Sequence, residues 1–412
     1  MRLGAMRGGL LEVVFVTVPG LEEIVLGECR ALGIKRILRR EKGAVTARVT
    51  TRQLYAANAL MRSATRVLLS AFRFHASSFP ELERRLHALD WSPWLDERSR
   101  PQLRVSSVRS ALYHERAIAE RFARLMPTEP SIDAAPPDAP TAAPAPGEPL
   151  VVVRATRDVF EVRIDSSGEA LHRRGYRTMI GEAPLRETIA AGMLSASGWD
   201  PATPLVDPCG GSGTLVCEAA LLAIGAPPHG SANPRRFALH EWPCFEPGTW
   251  GSVSAEVERM GAEAAAAAKA AAQRPPAIFM GEADASTVRA ARENARRAGV
   301  ENLVDFRTAE IAEIAEVASA SAAPVGHVIS NLPWGRRSSA AGGGGLRALC
   351  TSLGRACATR LAGYRLAALV ADRRLARPLG AGLASAATGG APRLRSALSL
   401  EVGGQRAWLL AT

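Results

Sequence analysis

Apolar positions along this chain follow two rhythms, and the change comes near residue 171. Before it, short β-branched or alternating runs ("VVFVTVP", "GAVTARV", "QLRVSSV") predict strands. Between them "LEEIVLGECRALG", "SFPELERRLHALDW" and "HERAIAERFARLM" carry apolar residues at helical spacing. "LVVVRATRDVFEVRIDSS" then predicts a hairpin that closes the region. The expectation is a small α+β module or a pair of them. Residues 127–149 read "PTEPSIDAAPPDAPTAAPAPGEP", a Pro/Ala-rich stretch without aromatics that is expected to be a linker or inserted loop.

From about Leu171 strands alternate with helices. "PLVD", "AIFMGE", "NLVDFRT" and "GHVISN" predict strands that are each followed by a helical stretch, and "YRLAALVAD", "RLRSALSLEV" and "RAWLLAT" predict the last strands. This βαβ order implies a mostly parallel sheet covered by helices on both faces. Residues 226–276 interrupt the order, and their second half, "AEVERMGAEAAAAAKAAAQR", predicts a peripheral alanine-rich helix. Ligands on such sheets bind outside the carboxyl ends of the strands, at a switch point.

The length of 412 residues is enough for two or three domains. No run approaches the ~18 apolar residues of a membrane span. The start, "MRLGAMRGGLLEVVFVTVPG", reads as a strand entering a helix rather than as a signal peptide. The six cysteines form no CxxC pair and no zinc-ligand spacing, which predicts a reduced, cytoplasmic protein without a metal. Charge changes the picture more. Residues 1–126 hold 22 Lys and Arg against 12 Asp and Glu, so they carry nearly all of the net +11. Such a concentration attracts phosphate backbones, although a solvated basic surface would look the same.

The candidate chemistry lies at strand ends. "LVDPCGGSGTLVCEAAL" is a strand, a Gly-rich turn and a helix, with Asp207, Pro208, Cys209, Gly210, Gly211, Ser212, Gly213 and Thr214 at the turn. Val216 stands where a dinucleotide fingerprint needs its third glycine, and Asp207 is unfavourable beside a pyrophosphate. The next strand ends at Glu282 and Asp284, where an acid grips ribose hydroxyls in related sites; Asp284 is equally placed to cap a helix. Glu310, after the third strand, is a candidate partner for an adenine amino group. A Gly-rich turn followed by two acids describes a nucleoside cradle without a phosphate clamp, and S-adenosylmethionine has that chemistry. The fourth strand leads into "NLPW", Asn331 to Trp334.

In "VDPCGGSGT", "GEAD", "TAE" and "NLPW", taken in order, the chain resembles the class I S-adenosylmethionine-dependent methyltransferases. Gly210 replaces the cysteine usual in that first motif, which argues against a catalytic cysteine. The resemblance implies that "NLPW" orients an exocyclic or amide nitrogen. Asn331 Oδ1 and the Leu332 carbonyl would accept the amine, Pro333 would fix the turn, and Trp334 would stack on a flipped base. "LHRRGYRTMIGEAPLRETIAAGML" and "VSSVRSALYHERAIAERF" are similar to segments of THUMP-domain RNA methyltransferases. The implied architecture is a ferredoxin-like domain over 1–70, a THUMP domain over 71–168 and a Rossmann-like methyltransferase domain over 169–412. The implied activity is methylation of the guanine 2-amino group in 23S rRNA or a ribosome assembly intermediate. It implies no membrane partner. A transfer RNA guanine enzyme, an adenine or glutamine-amide methyltransferase, and a non-catalytic RNA-binding assembly factor remain alternatives at this point.

Overall fold

The alternation in "LEVVFVT" is realised as strand β1 (Leu11–Thr17), in which Val13, Val14 and Phe15 are fully buried. The computed structural model describes residues 9–132, 148–178, 185–229, 235–320, 323–334, 343–385 and 392–412. After β1 come α1 (Glu22–Ala31), β2 (Arg36–Glu41), β3 (Ala44–Val49), α2 (Thr51–Leu60), β4 (Ala64–His75) and α3 (Phe79–His87). Then follow β5 (Gln102–Val108), α4 (Glu115–Leu125), β6 (Ser131–Ile132), β7 (Leu150–Thr156) and β8 (Val159–Asp165). The eight strands form one sheet in the order β2-β3-β1-β4-β8-β7-β5-β6.

The boundary expected at residues 70 and 71 falls inside β4. The physical reason is the length of that strand. Its first half pairs with β1 (Val13 opposite Leu69), and its second half pairs with β8 as far as His75 opposite Val159. The two expected modules therefore share a ladder. Of the expected linker, residues 133–147 lie outside the described residues, and Ser131–Ile132 pairs with Gln102–Leu103 of β5.

The chain divides into two units: Met1–Thr17, Val25–Leu171 and Pro234–Ala255 in one, Val18–Ile24, His172–Asn233 and Glu256–Thr412 in the other. The first is tied at the end of β8 by a buried polar network. Asn58 donates to Ser166 Oγ (2.9 Å) and accepts from Ser167 Oγ (2.7 Å). The buried Asp165 accepts from Ser167 N–H (2.9 Å) and is paired with Arg66.

The second unit contains α5 (Glu187–Ser197), β9 (Leu205–Asp207), α6 (Thr214–Ala223), α7 (Pro247–Ala271, which begins in the first unit), β10 (Ile278–Glu282), α8 (Ala285–Ala298), β11 (Val304–Thr308) and α9 (Ile311–Ser319). It ends with β12 (Gly326–Asn331), α10 (Gly343–Ala358), β13 (Tyr364–Val370), α11 (Ala376–Ala384), β14 (Arg395–Val402) and β15 (Gln405–Ala411). Its sheet order is β11-β10-β9-β12-β13-β15-β14, parallel from β11 to β13, with β15 antiparallel to both of its neighbours. Strand alternation feeds two cores: Ile278, Met280 and Ile329 enter one, Phe279, Val206 and Val328 the other. This is the α/β, mostly parallel architecture that the pattern predicts. The strand order reverses at β9, which lies between β10 and β12, so the switch point is at the end of β9. Among the described residues no helix is long and apolar enough to cross a membrane.

Arg66→Met should destabilise the first unit by roughly 3–5 kcal/mol, because it strands a buried carboxylate. Burial already pushes the Asp165 carboxyl up against the pull of Arg66. The deficit of the variant should therefore shrink as pH falls and Asp165 becomes neutral, and urea melts at two pH values would show this.

Candidate active site

The Gly-rich turn leaves β9 and opens α6. Gly211 and Gly213 have φ of +53° and +80°, in the left-handed region that side chains disfavour. Gly213 has a second constraint, since a Cβ there would lie 2.9 Å from the Cβ of Ala291 on α8. Gly210 N–H donates to Gly281 O (3.0 Å), and Gly213 N–H donates to Gly210 O (2.9 Å). The space beside Gly211 is open. A ligand can therefore approach backbone at this point.

Asp207, at the end of β9, is 2% exposed and has no ion-pair partner among the described residues. Burial pushes its carboxyl up to about 7, against the pull of two hydrogen bonds. One comes from Ser330 Oγ on β12 (2.7 Å) and the other from Cys209 N–H (3.3 Å). Glu282, at the end of β10, accepts from Gly211 N–H through Oε2 (3.1 Å) and from Ala283 N–H through Oε1 (2.9 Å). It therefore braces the turn as well as facing it. Burial, with the Asp207 and Glu282 charges, holds the Cys209 thiol far above its usual range. A thiol held protonated is no nucleophile.

The expected "NLPW" residues stand directly after Ser330. Asn331 ends β12 opposite Leu369 of β13, and Leu332 N–H donates to Leu369 O (3.0 Å) while its side chain is fully buried. Trp334 is half-buried, packs against the core, and donates its indole N–H to Asn331 Oδ1 (3.1 Å). The amide oxygen expected to receive an amine already holds one donor. A carbonyl oxygen has two lone pairs, so a second donor can be accepted. Pro333 separates the two side chains of this pair.

One expected residue is engaged otherwise, and another stands away from the Gly-rich turn. Asp284 caps α8, accepting from Ser286 N–H (3.2 Å) and Thr287 N–H (2.9 Å), and the Ser286 and Thr287 hydroxyls hold its carboxyl far below its usual range. Glu310 is exposed at the start of α9, where its N–H donates to Glu313 Oε2 (2.8 Å). It stands at the end of the edge strand β11, two strands from β9. Two further residues were missed by pattern reasoning. Ser330 is one. Asn294, fully buried on α8, donates to Ser212 O (3.0 Å) and accepts from Thr178 N–H (3.2 Å), clamping the turn. An amide on the buried face of an amphipathic helix, beside Ala291 and Ala295, was the available signal.

The arrangement fits a nucleoside with a cationic centre. Asp207 is a buried carboxyl without an ion-pair partner, and Thr214 Oγ1 is buried without a hydrogen-bond partner, among the described residues, and backbone is accessible at Gly211. None of the residues expected at the turn is a Lys or Arg that would clamp phosphate.

Comparison with known proteins agrees. The sequence profile described as "RMKL-like, methyltransferase domain" matches residues 174–381, and that of the "RlmL ferredoxin-like domain" matches 12–68. Among solved structures, a possible methylase from Clostridium difficile 630 is 23% identical with a TM-score of 0.77, over 97% of each chain. SMU.472, solved in complex with SAH, is 25% identical with a TM-score of 0.77, over 98% of each chain. A predicted N6-adenine-specific DNA methylase from Listeria monocytogenes is 25% identical with a TM-score of 0.75, over 98% of this chain and 97% of that one.

Gly213→Ala combines a left-handed φ with a close approach to α8, so it should destabilise the protein by more than about 1 kcal/mol. Calorimetry should show a lower Tm, and ligand affinity at the turn should fall with it. Gly248, near the start of α7 with nothing near its Cβ position, serves as a control, and Gly248→Ala should melt like the wild type.

Proposed function

The chain belongs to the RMKL-like methyltransferase-domain family, and from that premise we propose that it methylates the 2-amino group of a guanine in RNA, with 23S rRNA the favoured substrate. S-adenosylmethionine is the cofactor. When bound, it supplies a methyl group activated by a sulfonium. Asp207 provides the buried negative charge that favours a cationic ligand, and Glu282 holds the Gly-rich turn open beside it.

One observation carries the proposal. Ser330 Oγ donates to Asp207 Oδ1 at 2.7 Å, so the cofactor-side acid and the strand bearing "NLPW" are joined at adjacent parallel strand ends. A nucleobase amine is a poor nucleophile, because its lone pair is delocalised into the ring. Asn331 Oδ1 is the acceptor that orients this amine and favours positive charge developing on it. Trp334 steadies Asn331 from one side and presents a ring for the base. RNA as the polymer is supported by the basic excess of residues 1–126 and by the match to the RlmL ferredoxin-like domain. Residues 1–165 would then hold the substrate, with the proposed domains 1–70 and 71–168 joined through β4 and 169–412 as the methyltransferase domain.

Asn331→Ala should lower kcat by roughly 10²–10³, the effect of removing one preorganised electrostatic group, while cofactor affinity stays near normal. Steady-state kinetics on guanine-containing ribosomal RNA, with nucleoside mass spectrometry of the product, tests both the role and the base. Methyladenosine as the product, or preferential modification of transfer RNA, would overturn the substrate assignment.

Cofactor binding should strengthen as pH rises through about 7, where Asp207 becomes ionised. The ligand-free protein should lose stability over the rise from 3.8 to about 7, because the folded state holds a proton that the unfolded chain has released. Asp207→Asn should flatten both profiles, as followed by isothermal titration and thermal melts. A wild-type affinity independent of pH would contradict this assignment of charge.

A further inference from the structure

One end of the first sheet carries an arrangement that the methyl-transfer site does not use. β5 and β7 run parallel with Val108 opposite Thr156, so Arg109 and Arg157 follow at matched positions on neighbouring strands. Both have positive φ, +54° and +50°, and Asp158 has +63°. Three non-glycine residues in the left-handed region are costly, and such strain persists only where surrounding bonds enforce it.

Those bonds are present. Arg157 N–H donates to Val108 O (3.2 Å). Asp158 N–H donates to Ser110 Oγ (3.1 Å), and Asp158 Oδ1 accepts from Ala111 N–H (2.6 Å). Ser107 Oγ donates to Leu112 O (2.5 Å), and Glu115 accepts from Ser107 N–H (2.9 Å). Leu112 is buried, which turns Tyr113 outward to 68% exposure with its ring 4.1 Å from that of His114. The two acids at this end, Asp158 and Glu115, are both taken by backbone N–H groups. Arg109 and Arg157 are exposed and have no carboxylate partner among the described residues. This sheet end thus carries an exposed aromatic ring and two exposed guanidinium groups that have no carboxylate partner among the described residues.

We propose that this sheet end is a docking site for single-stranded RNA, in which one base stacks on Tyr113 and the adjoining phosphates lie against Arg109 and Arg157. The proposal rests on the RNA reading above and adds its point of contact. Base–aromatic stacking tolerates any sequence, and arginine forks suit phosphate oxygens. Two exposed guanidinium forks without a carboxylate partner among the described residues suit phosphate oxygens better than an apolar protein segment.

The test is fluorescence anisotropy of a short labelled oligouridylate with the full chain across a salt series. Tyr113→Ala should weaken binding roughly ten-fold or more, and Tyr113→Phe, which keeps the ring, should restore it. Arg109→Gly with Arg157→Gly suits the positive φ at both sites, so any loss of binding is not a loss of fold. That double variant should lower the salt slope by roughly 1.4, at about 0.7 for each single-strand phosphate contact. SAH titration should be unchanged in every variant. Wild-type binding that survives all of these changes would overturn the site while leaving the RNA reading intact. A wild-type chain that does not bind the oligonucleotide would overturn both.

Discussion

The catalytic unit is organised around a buried carboxyl that has no cationic partner among the described residues. Asp207 is held at the centre of a parallel sheet by one serine hydroxyl and one backbone N–H, and desolvation keeps it near the point of neutrality. An isolated charge there would be expensive, so the site is completed in energy only when a cationic ligand arrives. The remaining features follow from this. The Gly-rich turn must bend sharply away from the acid, Glu282 must support the turn from the neighbouring strand, and Asn294 must brace it from α8. Ser330 then transmits the position of Asp207 to the next residue along β12, Asn331.

The same hydrogen bond joins the proposed cofactor and substrate residues, which are far apart in the chain. Parallel strands in register bring their carboxyl ends to one edge, and the reversal of strand order at β9 opens a crevice there. Trp334 has a double duty in this setting. It packs on the core and bonds Asn331, so the group proposed to face the base is stiffened before any substrate binds.

The first unit solves a different problem, which is to present positive charge on a rigid frame. Its sheet is continuous through the twelve-residue β4, and β2 at one edge exposes Arg36 and Arg40 while Arg39 pairs with Glu12 and Glu161. Charged side chains on an edge strand both discourage sheet-to-sheet pairing and add to the basic field. The buried network of Asn58, Ser166 and Ser167 locks α2 to the end of β8 without leaving those side chains unsatisfied.

Much of this was legible along the chain. Period-two and period-3.6 patterns marked most strands and helices, and the order of turn, acid, acid and "NLPW" marked the ends of β9 to β12. β2 escaped because "RILRRE" has no apolar alternation, and α2 because its apolar residues give no clear stripe. Asp284 shows the limit of reading acids at strand ends. The same carboxylate serves a ligand or a helix start, and only its neighbours decide which: Ser286 and Thr287 take Asp284. Sequence alone determined the fold class, the motifs at the ends of β9 to β12 and the distribution of charge, since these depend on local pattern and composition. Tertiary structure alone decided that Ser330 reaches Asp207 across 123 positions, that Asn294 clamps the turn, and that β4 joins two expected modules in one sheet. Those are contacts between elements, and no local pattern encodes which partner a buried polar group will find.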